Sequence, residues 1–306
     1  MYHRRRSAFS LLELLVCLGM LIILLGVLLP AVARARAAAR GWQSANNLKW
    51  IAMSVHDCAS NNDGRLPPGF DDNHFSVSAK LLPYLEQDKL YKKIDFKKSI
   101  DDGANAEARQ TVVKVFVDPD DKAVAPAKDP TKGHGPTNYL FNGLVFYHNS
   151  KSKFPTSFPD GTRQTVLLVE TLRGDGKTKG TDVRRQYVVL SVREADKYKG
   201  NREAMGVEEF KDGKHTTADR CASWMDGRFL QGVFLPGRVP NDPRPDVMVG
   251  MPQRMEGFSA PRSMEDTVNV AMADGSVKVI NSKKITAATW HAAVTPDSND
   301  LLGNDW

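Results

Sequence analysis

The residue that most needs a chemical reason is Glu13. It is the one charge in an otherwise apolar run over residues 11–29, behind a basic tip of Arg4, Arg5 and Arg6. A carboxylate at a bilayer centre costs roughly 2.5–3.5 kcal/mol, so an acid in such a run is a functional hypothesis by default. Two oxygen-rich clusters follow. Asp118, Asp120 and Asp121 surround Pro119, and Asp297, Asn299 and Asp300 lie near the carboxyl end. Either could hold calcium only if several oxygens converge on one point. A solvated turn and a polar tail are the plain alternatives.

The remaining reactive residues are scattered. His56, His134 and His291 belong to no HExxH motif and no pair four residues apart. There is no GxSxG elbow, phosphate-binding loop or dinucleotide fingerprint, so the sequence offers no catalytic constellation. Cys17 lies inside the apolar run. Cys58 and Cys221 would be free to pair if the body lies outside the cytoplasm, and no CxxC suggests zinc. Trp224, Trp290 and Trp306 read either as a glycan-stacking surface or as core and tail aromatics.

The chain that must position these residues has 306 of them, enough for one large or two small domains. It is 41% hydrophobic and 25% charged, an ordinary balance for a folded protein. Of the net charge of +6, the three leading arginines supply half. The rest is too mild for a nucleic-acid surface, and no nucleic-acid partner is expected.

The first segment allows three readings. A signal peptide would end at the small-x-small site Ala31-Val32-Ala33, but the run is longer than a usual signal core and carries an acid. A plain membrane anchor accounts for the run and leaves Glu13 without a reason. The third reading makes the run an assembly helix. Charge does not set its orientation, because Arg34, Arg36 and Arg40 behind the run balance the three arginines ahead of it.

Pro30 is expected to kink or interrupt a helix. Beyond it, Leu48, Ile51, Ala52 and Val55 fall on one helical face, and Asn61, Asn62, Asp63 and Gly64 form a stop signal. The expected organisation is a leader over residues 1–8, a transmembrane or assembly helix over 9–30, its amphipathic continuation over 31–60, and an α+β head over 61–306. Within the head, residues 81–94 and 283–294 read as helices, the latter capped by Ser282, and residues 104–115 read as a helix or a helix-to-strand segment. Residues 138–147, 165–170, 187–192 and 229–235 read as strands. Residues 197–213 and the proline-rich 236–261 read as loops. Val268, Val270 and Met272, then Asp274-Gly275, then Val277 and Val279 predict a hairpin with a type I′ turn.

The string Ala8-Phe9-Ser10-Leu11-Leu12-Glu13 resembles the cleavage and methylation motif of type IV prepilins and type II secretion pseudopilins. The resemblance implies cleavage between Ala8, where the family usually has glycine, and Phe9, which becomes an N-methylated first residue. Glu13 is then the fifth mature residue and sets assembly register by facing a neighbouring subunit's first amino group. The blocks NNLKWIAMSVHDC, LPPG, LLPYLEQDKLYKKIDF, VKVFVDPDD, DGTRQTVLLVE and VNVAMADGSVKVI look like successive parts of one planctomycete-type pseudopilin-like family, which carries domain of unknown function 1559.

That resemblance implies an α+β, type IV pilin-like fold, in which a long amino-terminal stem helix packs on a mainly antiparallel sheet head. It implies a structural, non-enzymatic subunit of a pseudopilus or pilus-like fibre, single-pass in the inner membrane, with its head in the periplasm or exterior. Its partners would be a prepilin peptidase, assembly machinery, other pilin-like subunits and, before assembly, membrane lipid. No cofactor is implied beyond a calcium site of the kind some major pseudopilins carry in a terminal loop, for which Asp297, Asn299 and Asp300 are the candidates. The family's closing signature places a histidine ahead of an Asp-Gly pair; here that position is Met264. A membrane-tethered binding module for a glycan, peptide or ion is the alternative function.

Overall fold

The computed structural model describes residues 11–123, 133–176, 181–213 and 215–306, and within the first helix the side chains at 27, 30, 31 and 33–40 lie outside the description. The chain forms two compact units, Met1–Trp42 and Gln43–Trp306. Helix α1 (Leu11–Ser60) contributes to both, and its helical backbone is not interrupted at Pro30. Among the described residues no helix is long and apolar enough to cross a membrane. The apolar run is only partly described, because the Val27 and Pro30 side chains fall outside it.

The second unit is a mixed α+β body with two mainly antiparallel sheets. The larger sheet contains β1 (Tyr139–Asn142), β2 (Val166–Glu170), β5 (Val233–Phe234), β8 (Thr267–Met272) and β9 (Val277–Asn281), in the order β5-β1-β2-β8-β9. Only the β1–β5 pairing is parallel. Both faces of this sheet are buried. Phe141, Leu168 and Ala271 pack with Leu48, Ile51, Ala52 and Val55 of α1. Leu140, Val169 and Val270 pack with Trp290, Ala293 and Val294 of α7 (Ala287–Val294). Consecutive strand residues should alternate faces. Leu167 and Leu168 instead share the α1 face, where the β2–β8 register shifts, a β-bulge.

The smaller sheet runs β4-β3-β6-β7, from β3 (Tyr187–Leu190), β4 (Thr216–Thr217), β6 (Asp246–Val249) and β7 (Gly257–Phe258). Its β3–β6 pairing is parallel and the other two are antiparallel. Val188, Leu190, Val247, Val249 and Phe258 pack there with Met205 and with Phe210 of α6 (Val207–Lys211). A short α5 (Val192–Ala195) follows β3, closed by a capping box between Ser191 and Glu194.

The amphipathic stripe of α1 is as the spacing requires: Leu48, Ile51 and Ala52 are fully buried and Val55 nearly so. The helix stops where Asn62 Nδ2 donates to the Cys58 carbonyl and Gly64, at positive φ, returns its N–H to the Ala59 carbonyl.

Several expectations need correction. Residues 81–94 are not one helix. They are divided among α2 (Val77–Leu81), a 3-10 turn with Pro83 near its start, and α3 (Asp88–Tyr91), because Glu86 takes a left-handed conformation at φ 57°. Over residues 104–115, read as a helix or a helix-to-strand segment, the structure has α4 (Ala106–Gln110) between two 3-10 turns and no strand. The polar stretch 197–213 contains α6, and the proline-rich stretch 236–261 contains β6, whose four residues are all buried. The last helix is capped by Thr286, not Ser282, whose hydroxyl donates to the Asp266 carbonyl.

The β8–β9 hairpin forms, but its turn is not type I′. Gly275 alone has positive φ (84°), while its N–H reaches the Met272 carbonyl and the Met272 N–H reaches the Ser276 carbonyl. This is a three-residue loop, a type I turn closed by a left-handed glycine.

Candidate functional site

The amino-terminal helix carries the site that the sequence nominates. Ala8 and Phe9, the cleavage and methylation positions, lie outside the described residues. Glu13 lies in the first turn of α1 and is exposed. Around it every described leucine, isoleucine, valine and methionine from Leu11 to Leu29 is exposed, from 47% at Val16 to 81% at Leu11. Over these residues the described surface is apolar apart from Glu13 and Gly19. Covering each such side chain is worth about 1.5–3 kcal/mol, so the covered state is favoured by a large margin. Cys17 belongs to this exposed surface.

The carboxyl-terminal candidates lie together in an exposed loop. Asp297, Asn299 and Asp300 are exposed. The loop is held by Asp160, whose two carboxylate oxygens accept from the backbone N–H groups of Ser298 (3.0 Å) and Asn299 (2.9 Å). Asp300 lies 3.9 Å from His291. Among the described residues no group of three or more His, Cys, Asp or Glu side chains is placed to hold a metal ion.

The Asp118–Asp121 cluster is not a solvated turn. Asp121 is buried and accepts from the Arg173 N–H (2.8 Å), Asn138 Nδ2 (2.8 Å) and Arg185 Nη1 (2.8 Å). Burial pushes its carboxyl up, but these donors outweigh burial and hold it below the usual range. A guanidinium occupies the place a cation would take. Met264, at the family's histidine position, is exposed with its sulfur 3.8 Å from Arg185 Nη2.

The tryptophans divide between cores. Trp224 is fully buried beside Phe116, and Trp290 is 2% exposed under the larger sheet, so neither offers a stacking face. Trp306 is half-buried, with Lys278 over its ring at 4.9 Å. Cys58 and Cys221 are both buried and free, so the pairing left open by the sequence is not made. Of the histidines, His56 packs edge-on against Phe154 and lines a crevice with Lys49, Met53, Asp57 and Asp274. Burial, reinforced by Arg109, pulls His134 down to about 4.

Sequence reasoning missed a buried charge seam. Asp246, at the start of β6, is fully buried between two fully buried arginines. Arg220 donates to Asp246, to Thr171 Oγ1 at 2.6 Å and to the Ala260 carbonyl at 2.8 Å. Arg262 donates to the other Asp246 oxygen at 2.5 Å and to the carbonyls of Asp242 and Arg244. Thr171 directly follows β2, so these bonds tie the two sheets together.

A second buried acid, Glu170, ends β2. It accepts from Ser44 Oγ of α1 (2.7 Å) and from Asn269 N and Nδ2 of β8 (2.8 and 2.7 Å). Burial outweighs these bonds and raises its carboxyl to about 7. Between about pH 4.5 and 7 the folded chain keeps this proton and the unfolded chain loses it. Stability therefore falls as pH rises through that window, by roughly 3 kcal/mol in all. Glu170→Gln is expected to remove this contribution, so between urea titrations at pH 4.5 and 7.5 the wild type should lose about 3 kcal/mol relative to the variant. Equal pH dependence in both would refute the assignment.

One opening in the head lies against the smaller sheet. A cleft of about 640 Å³ is lined by Leu144, Val192, Tyr198, Met205, Val249 and Phe258 among others. Beside it a cavity of about 130 Å³ is lined by Arg202, Glu203, Arg238 and Arg244. The two share Arg202, Pro236, Gly257 and Phe258.

These features define a mixed α+β body with two mainly antiparallel sheets. A family model described as a protein of unknown function (DUF1559) matches residues 33–284, and the chain belongs to that family. No curated protein and no solved structure matches it.

Proposed function

We propose that the protein is a pseudopilin-like structural subunit, assembled through its amino-terminal helix into a type II secretion pseudopilus or a type IV pilus-like fibre. A prepilin peptidase cuts between Ala8 and Phe9. Residues 9–30 then sit in the inner membrane as a single pass, with the head in the periplasm or exterior, until assembly machinery moves the helix into a bundle of like helices. The role is structural, without catalysis and without a nucleic-acid partner. In pilin-like terms, residues 9–60 are the stem and the two-sheet body is the head.

The observation that carries this reading is the unbroken apolar surface of α1 over its described side chains from Leu11 to Leu29, with Glu13 as its only acid. Such a surface calls for a cover, and an ordinary anchor has no use for the acid. The motif Ala8-Phe9 followed by Glu13 adds the processing step. Identification of the mature amino terminus tests the reading. A second reading, a membrane-tethered module that binds a ligand, is favoured by the cleft on the smaller sheet.

A further inference from the structure

We propose that the cleft on the smaller sheet binds a monocarboxylate with an apolar body, its carboxylate seated between Arg202 and Arg238. The site lies wholly within the Gln43–Trp306 unit and does not depend on assembly of the helix.

Charge balance selects the anion. Arg244 is already committed, to Asp242 at 2.6 Å and to Glu203 at 3.3 Å. Glu203, the one acid lining the small cavity, shares that cation with Asp242. Arg238 is only 2% exposed and has no carboxylate partner among the described residues. Its Nη1 and Nη2 donate to the carbonyls of Glu203 (3.3 Å) and Met205 (3.2 Å), and its Nε has no partner. Arg202 is exposed. Three arginines against Glu203 and Asp242 thus leave one net positive charge at the small cavity. A buried guanidinium without a counter-ion is unfavourable, and a carboxylate matches its planar fork.

The shape selects the rest. Arg238 is held over the Phe258 ring at 4.6 Å, a cation–π contact that fixes the guanidinium plane. The small cavity, at about 130 Å³, admits a carboxylate. The adjoining cleft is of the size and apolar lining that suit an organic ligand's body. Its acids pair locally, Asp196 with Lys199 at 3.1 Å and Glu256 with Arg254 at 3.0 Å, which leaves no cation there for a second negative group except by breaking a pair. Gly257 keeps the wall thin: at φ 137°, a Cβ there would stand 2.1 Å from the Val247 carbonyl oxygen.

The test is isothermal titration of the full-length chain in lipid nanodiscs with two acid–amide pairs. These are 4-phenylbutyrate against 4-phenylbutyramide, and N-acetylphenylalanine against its amide. Partition into lipid or onto the apolar helix does not favour the acids, so the acid-to-amide ratio reports the arginine site. At least one acid should bind tighter than its amide by about tenfold or more. The pair with the larger ratio tells whether a free acid or a peptide carboxyl terminus is preferred. Arg238→Met should abolish the preference. Arg202→Ala, on an exposed side chain, should cut it at least severalfold with the fold intact. No acid binding, equal binding of acid and amide, or a preference unchanged in Arg202→Ala would overturn the proposal.

Discussion

Replacing Asp246 with asparagine is expected to lower the unfolding free energy by about 3–5 kcal/mol. The side chain keeps its shape but loses the charge that two guanidinium groups share. Arg220, Arg262 and Asp246 are all fully buried, so no solvent can take over. The asparagine amide also presents donors to one of the two arginines, where a donor already points, which leaves hydrogen-bonding groups facing each other. The loss falls on a connection between sheets, because Arg220 also holds Thr171 and the Ala260 carbonyl. Urea unfolding followed by the fluorescence of buried Trp224 and Trp290 measures it. Asp266→Asn is the control. Its Lys283 pair is 72% and 65% exposed, and the midpoint should not move measurably. A loss below about 1 kcal/mol in Asp246→Asn would mean that the seam contributes little.

Glu13→Ala is expected to separate anchoring from assembly. Removing a carboxylate from an apolar helix makes membrane residence more favourable, by up to roughly 2.5–3.5 kcal/mol at the bilayer centre. The membrane-bound amount should therefore hold or rise. In the assembled bundle the same change strips the counter-charge from a neighbour's amino group. Breaking a buried pair costs about 3–5 kcal/mol, which corresponds to a hundredfold or greater loss of incorporation. Glu13→Gln keeps the hydrogen-bonding capacity and should fall between. Comparing membrane and sheared-fibre fractions reads both quantities on one blot. A drop in both fractions, or in neither, would remove Glu13 from the assembly role.

What the sequence made legible follows from range. The α1 stripe and the β8–β9 hairpin depend on residues a few positions apart, and both formed. Even there the turn differed, because an Asp-Gly pair also fits a type I turn closed by glycine, and period alone does not choose. Strand β6 was hidden by the prolines on either side of it and by Asp246 at its head, since a charged residue argues against a buried strand until its partners are known. Those partners, Arg220 and Arg262, lie 26 and 16 residues away, and Asp121 meets Arg173 and Arg185 at 52 and 64. No local pattern encodes such pairs. Helix α6 was masked by its polar residues, and within it only Phe210 is buried. The cleft was invisible for the same reason as the seam. Tyr198 and Arg202, Arg238, Val249 and Phe258 become neighbours only once β6 and β7 are in place.

The assembly account predicts a particular first residue. Intact-mass and peptide mass spectrometry of the full chain purified from cell envelopes should find a mature amino terminus at Phe9, carrying one methyl group, with residues 1–8 absent. An amino terminus at Arg34 would make the apolar run a cleaved signal peptide, and an intact Met1 would make it a plain anchor. Either result would contradict the proposal that Glu13 serves a fibre.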